Sequence, residues 1–183
     1  MKLFKVITLV LIQALVFSKM IDLKSKDISW IGDKVIGNGH SGVVKIKKGS
    51  LNIKDGVLGN ATIVADMNTI RTTDIEGEWA LKLDAHLKND DFFSVNKFPE
   101  SKLVVRDSVK LVEGANKVKA TLFIKDKKDE IILLVKKKGS NLDVNFEFDR
   151  TKFGVKYNST NFFKGLGDKA IKDKVRMSFK LKI

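Results

Sequence analysis

The chain has 183 residues, a formal charge of +13, 43% hydrophobic content, one Pro and no Cys. Length and apolar content suit one packed domain and argue against general disorder. Without Cys there is no disulfide framework, thiolate metal site, cysteine nucleophile or lipid-modified cysteine, and two His leave little for a His-rich metal centre.

The first element is an address. Lys2 and Lys5 precede Val6 to Phe17, an apolar run broken only by Thr8 and Gln13, and Ser18 follows with Val16 two places before it. A charged start, a short apolar core and a small residue describe a secretory signal peptide over residues 1–18, with the folded domain over 19–183. A membrane anchor is the alternative, but a span needs about 20 apolar residues. Cleavage would lower the charge from +13 to +11 and send the protein to the periplasm or outside the cell.

Gly37-Asn38-Gly39-His40-Ser41-Gly42 matches G-x-G-x-x-G. Phosphate binding needs a helix after the last Gly, whereas Val43 to Ile46 continues as strand, so the glycines serve a bend or bulge. His40 and Ser41 point to opposite faces of that strand and do not make a hydrolase pair. Val44 and Ile46 against Lys45 and Lys47 form the first β-alternation. A turn is expected at Lys48-Gly49-Ser50 and another at Asp55-Gly56. Ile63, Ala65 and Met67 then oppose Thr62, Val64 and Asp66, a weaker split.

A helix is expected over 74–88. Thr73-x-x-Glu76 resembles a capping box, and Trp79, Leu83, His86 and Leu87 share one helical face. Asn89 to Pro99 forms an ordered connection. His86 with Asp84, Asp90 or Asp91 offers a metal or catalytic reading, but a lone His near a helix end serves structure more often.

The strand signal then returns. Val118, Ala120, Leu122 and Ile124 alternate with Lys119, Thr121, Phe123 and Lys125; Leu142 to Phe148 and Val175 to Ile183 alternate as cleanly. Turns fall at Glu113-Gly114, Lys138-Gly139-Ser140 and Gly165-Leu166-Gly167. Short strands with one polar face each favour an antiparallel sandwich or closed barrel. Lysine-rich stretches at 45–48, 125–128 and 136–138 read as solvated faces rather than a nucleic-acid surface, and export argues against nucleic acid. The positive charge also favours peripheral contact with an anionic membrane. Phe92-Phe93 and Phe162-Phe163 either close a core under a loop or sit at the mouth of a cavity.

His86-Leu87-Lys88-Asn89-Asp90-Asp91-Phe92-Phe93-Ser94-Val95-Asn96-Lys97-Phe98-Pro99 resembles the signature of the YceI-like family. His40-Ser41-Gly42, Asp66-Met67-x-x-Ile70, Asp149-Arg150-x-x-Phe153-Gly154, Phe162-Phe163 and Gly167-Asp168 extend the resemblance from about Ser29 to the C-terminus. The resemblance implies an all-β fold: an eight-stranded antiparallel lipocalin-like barrel with the short helix at 74–88 in one connection. It also implies a ligand, a polyisoprenoid or other long-chain lipid in an apolar cavity, carried without chemistry, catalytic residue, metal or cofactor. The rival is an envelope structural or interaction module with a filled core and a basic membrane-facing surface. Strand phase assigns the cavity wall to Ile63, Ala65, Met67, Val118, Leu122, Val144, Phe146, Met177 and Phe179, with Phe92 and Phe93 near the mouth. His86 and Asp91 are expected to hold the 89–99 connection in place.

Overall fold

The computed structural model describes residues 19–20, 23 and 26–183. The expected signal peptide, residues 1–18, lies outside the described residues.

Eight long strands form the wall: β2 (Asp27–Lys34), β3 (His40–Lys54), β4 (Val57–Thr72), β5 (Glu100–Val105), β7 (Gly114–Ile124), β8 (Lys127–Lys138), β9 (Asn141–Asp149) and β10 (Ile171–Lys182). Two short strands, β1 (Lys19–Met20) and β6 (Val109–Lys110), add to β3 and β4. Every pairing is antiparallel, in the order β3-β2-β10-β9-β8-β7-β5-β4, and β4 pairs back onto β3. That last pairing closes the sheet, so the eight long strands form the expected barrel without a free edge.

Local chemistry explains the hairpins. At the β3–β4 turn Asp55 and Gly56 both take positive φ, 51° and 75°, the geometry whose twist suits a two-residue hairpin. At the β7–β8 turn no Gly is available, and Lys125 itself adopts φ 57°. The turn expected at Lys48-Gly49-Ser50 does not form. Those residues run inside the 15-residue β3, where the register shifts between Ile46 and Lys48. Gly49 has another use there, because a Cβ would stand 3.0 Å from two side-chain atoms of Leu23. Val64 is buried as well as Ile63 and Ala65, which is why the alternation along β4 is faint.

One helix, α1 (Gly77–Lys88), crosses one end of the barrel. It starts three residues later than expected and the capping box does not form. Thr73 is drawn into the sheet, its N–H donating to Ser41 O at 2.9 Å. Glu76 is the N-cap residue itself and makes no capping hydrogen bond. Leu87 is buried and Leu83 packs partly against the core, but Trp79 is 73% exposed, so it does not belong to the buried face.

Inward residues of all eight long strands build one hydrophobic cluster. Four connections share one end of the barrel. The β2–β3 loop meets the β9–β10 connection through Val35 N–H donating to Ala170 O (2.9 Å). The β4–α1–β5 connection meets the β7–β8 turn through Lys125 Nζ donating to Phe92 O (3.3 Å). We call this the mouth end.

Candidate functional site: an apolar cavity in the barrel

Inside the barrel lies a cavity of about 120 Å³, and almost no polar atom faces it. Its wall takes Ile63, Ala65 and Met67 from β4, Leu122 from β7, Phe146 from β9, and Met177 and Phe179 from β10. Phe92 and Phe93 line it from the connection after α1. Val118 and Val144 lie elsewhere: both are buried, at 0% and 4% exposure, among core residues that do not border the cavity.

Further wall residues escape a reading by strand phase. Ile28 and Trp30 come from β2, Leu103 from β5, Leu87 from α1 and Val155 from the β9–β10 connection. The alternation Ile28, Trp30, Gly32 was a usable signal for β2. Leu103 sits in a six-residue strand, too short to show a period, and Val155 sits outside regular structure.

The 86–99 segment folds back as a compact unit at the mouth end. Val95 N–H donates to Lys88 O (2.9 Å), Ser94 N–H to Asn89 O (2.8 Å) and Phe93 N–H to Leu87 O (3.2 Å). Ser94 takes φ 48°, and its neighbours Phe92 and Val95 are buried. His86 Nε2–H donates to Asp91 Oδ2 at 3.2 Å. Its ring stands edge-on to Phe92 and Tyr157, with centroids 4.9 and 4.6 Å away. Thus His86 ties α1, the Phe92 wall and the β9–β10 connection together. Asp84 and Asp90 are engaged elsewhere: Asp84 accepts from Thr72 N–H (2.7 Å) and Asp90 from Lys97 Nζ (2.7 Å). The Lys97 hydrogen bond holds the Asp90 carboxyl below the usual carboxylate range. Among the described residues no group of three or more His, Asp or Glu gathers to hold a metal.

Arg150 also borders the cavity, yet its charge is spent inside the protein. It is 2% exposed and donates to Lys172 O (3.1 Å), Val155 O (3.0 Å) and Ile171 O (3.1 Å), with Asp173 Oδ1 at 3.3 Å. Burial pushes this guanidinium down from its usual pKa, opposed by Asp173 and Asp149. These bonds staple both ends of the β9–β10 connection to the barrel.

The glycine motif serves packing. A Cβ at Gly42 would stand 2.0 Å from Arg71 O and 2.5 Å from Trp30 Cζ2. Trp30, Gly42 and Thr72 are paired in one row across β2, β3 and β4. Gly42 leaves the space into which the indole is laid. Gly39 is as tightly held, with Gly32 O 2.0 Å from where its Cβ would be.

A closed antiparallel barrel with a carbon-lined interior belongs to the lipocalin-like class of folds. The YceI-like domain model matches residues 20–183, and the chain belongs to that family. Solved structures share the fold at low identity. Burkholderia cenocepacia BcnA aligns with a TM-score of 0.62 at 16% identity, over 85% of this chain and 94% of that one. A polyisoprenoid-binding domain from Saccharophagus degradans aligns with a TM-score of 0.59 at 15% identity, over 87% and 94%. The Campylobacter jejuni YceI protein aligns with a TM-score of 0.50 at 16% identity, over 100% and 98%. No curated protein matches the sequence.

Proposed function

We propose that this protein is exported, loses residues 1–18, and carries an isoprenoid or similarly apolar tail in its barrel without transforming it. The observation that carries the reading is the cavity wall, which offers carbon and almost no polar atom. Such a surface has favourable free energy only with a guest that water rejects. The likeness to a polyisoprenoid-binding domain supports the same class of ligand.

The volume bounds the guest. An engineered cavity of about 150 Å³ takes up benzene. A cavity of about 120 Å³ therefore holds about one isoprene unit as it stands. A longer tail enters as Met67, Met177, Phe92 and Phe93 change rotamer; the unbranched thioether chains adapt most readily. Ten buried carbons at about 0.8 kcal/mol each give roughly 8 kcal/mol gross, part of it offset by the cost of association. The filled-core rival has less support, because the interior retains this space.

The test is extraction of the purified native protein with organic solvent followed by mass spectrometry, paired with uptake of a prenyl alcohol. Recovered isoprenoid together with saturable uptake is the expected result. An empty extract and no uptake would sink the carrier reading.

A further inference from the structure

We propose that the protein docks its mouth end on anionic phospholipid bilayers through the β9–β10 connection, with Phe162 and Phe163 entering the interface. This rests on the carrier reading above and adds where the guest is exchanged.

Phe162 and Phe163 are 48% and 50% exposed. They are held outward rather than left loose. Both backbone N–H groups donate to Ser159 O (3.1 and 2.9 Å), and Ser159 is fully buried. Asn161 Nδ2 donates to Asp173 Oδ2 (2.6 Å), and Ile171 N–H donates to Asn158 O (2.9 Å), fixing the loop to β10. Val35 and Ile36, 49% and 61% exposed, project from the adjoining β2–β3 loop. Four exposed apolar side chains on two ordered loops at one barrel end are a costly surface in water, and their natural cover is an apolar layer.

Charge selects the bilayer. From Gly154 to Ala170 the connection carries Lys156, Lys164 and Lys169 against Asp168 alone. Lys156 Nζ stands 4.5 Å from the centre of the Phe162 ring. An aromatic ring with an ammonium beside it suits the boundary between lipid headgroups and acyl chains, where the ring is buried and the charge meets phosphate. The helix side of the mouth is different: residues 73–99 hold six carboxylates against three lysines. The molecule therefore meets an anionic surface tilted, β9–β10 side down. Docking there brings the cavity wall residues Val155 and Ile171 close to the acyl layer, so a tail can pass without crossing water.

The experiment uses the chain from Lys19 onward, which contains every barrel strand, with vesicles of phosphatidylcholine alone or mixed with phosphatidylglycerol. Flotation should show binding to the mixed vesicles only, and K156E/K164E should weaken it by at least about 25-fold, at about fivefold per lysine removed. F162S/F163S should weaken binding by tenfold or more while leaving uptake of a detergent-dispersed prenyl alcohol unchanged. W79S, on the acidic side, should change vesicle binding less than twofold. Equal binding to both vesicle types, no binding to either, capture by an acidic protein instead of lipid, or wild-type binding by F162S/F163S would each overturn the proposal. Failure of the wild type to take up the dispersed alcohol would instead overturn the carrier reading, whatever the vesicles show.

Discussion

Ala65 offers the most direct test of the cavity. It is 5% exposed, lies on β4 opposite Ile46 and Ser101, and borders the free space. Ala65→Leu adds three carbon groups, each occupying roughly the 30 Å³ of a water molecule, so about 90 Å³ of the interior is consumed. The cavity holds about 120 Å³, so room remains for only a carbon or two of guest. Displacing three guest carbons forfeits about 2.4 kcal/mol, and Kd for a prenyl alcohol should rise by about 50-fold or more. The fold should not suffer in proportion. Burial of the added carbons contributes a similar sum in favour of the native state, offset by about 1–3 kcal/mol of packing strain. Urea unfolding should thus move little while uptake, followed by titration with a fluorescent prenyl analogue, is lost. Val118→Ala is the matched control. Val118 is fully buried but does not border the cavity, so it should cost about 2 kcal/mol of stability and leave Kd within about twofold. Unchanged uptake by a folded Ala65→Leu protein would show that the guest does not occupy this space.

Three other outcomes follow from the same structure. Arg150→Leu leaves three carbonyls without their donor and the Asp173 carboxylate without its facing cation, and urea unfolding should report a loss of about 3–5 kcal/mol. Gly42→Ala drives a methyl group into Arg71 O and the Trp30 ring; a loss above about 3 kcal/mol, with a shifted near-ultraviolet circular dichroism band, is expected. The third concerns acid. Partial burial pushes the Asp149 carboxyl up, but hydrogen bonds from the Thr151 hydroxyl and N–H, with Lys174 and Lys152 nearby, hold it below the usual carboxylate range. A lowered native pKa means that this contribution is fully present above the unfolded pKa and is lost as pH falls through the native one. Asp149→Asn should therefore flatten the decline of the urea midpoint below the ordinary carboxylate pKa, while a decline as steep as that of the wild type would refute the assignment.

Residues that combine period-two alternation with one polar face were legible without coordinates. Leu142 to Phe148 and Val175 to Ile183 place their apolar members inward, since alternation along a strand is a local property of the backbone. The continuous run Ile131-Ile132-Leu133-Leu134-Val135 hid β8: Ile131, Leu133 and Val135 are buried while Ile132 and Leu134 are 46% and 52% exposed. An apolar residue facing solvent carries no local mark. The 86–99 segment, as a family signature, identified the fold without revealing why its residues are needed. The structure supplies that reason in the fold-back of Phe92 and Val95 and in the reach of His86 to Tyr157, 71 positions away.

By itself, then, the amino-acid order determined strand phase, the hairpin turns at Asp55-Gly56 and Lys138-Gly139-Ser140, family and the apolar character of the wall, because each is written within a few neighbouring residues. Tertiary structure alone decided which buried residues border free space and which fill the core. Val118 and Leu122 share one face of β7, yet only Leu122 lines the cavity. Barrel closure between β3 and β4 sets which inward rows meet across the interior, and that distance is a property of the whole sheet rather than of any segment.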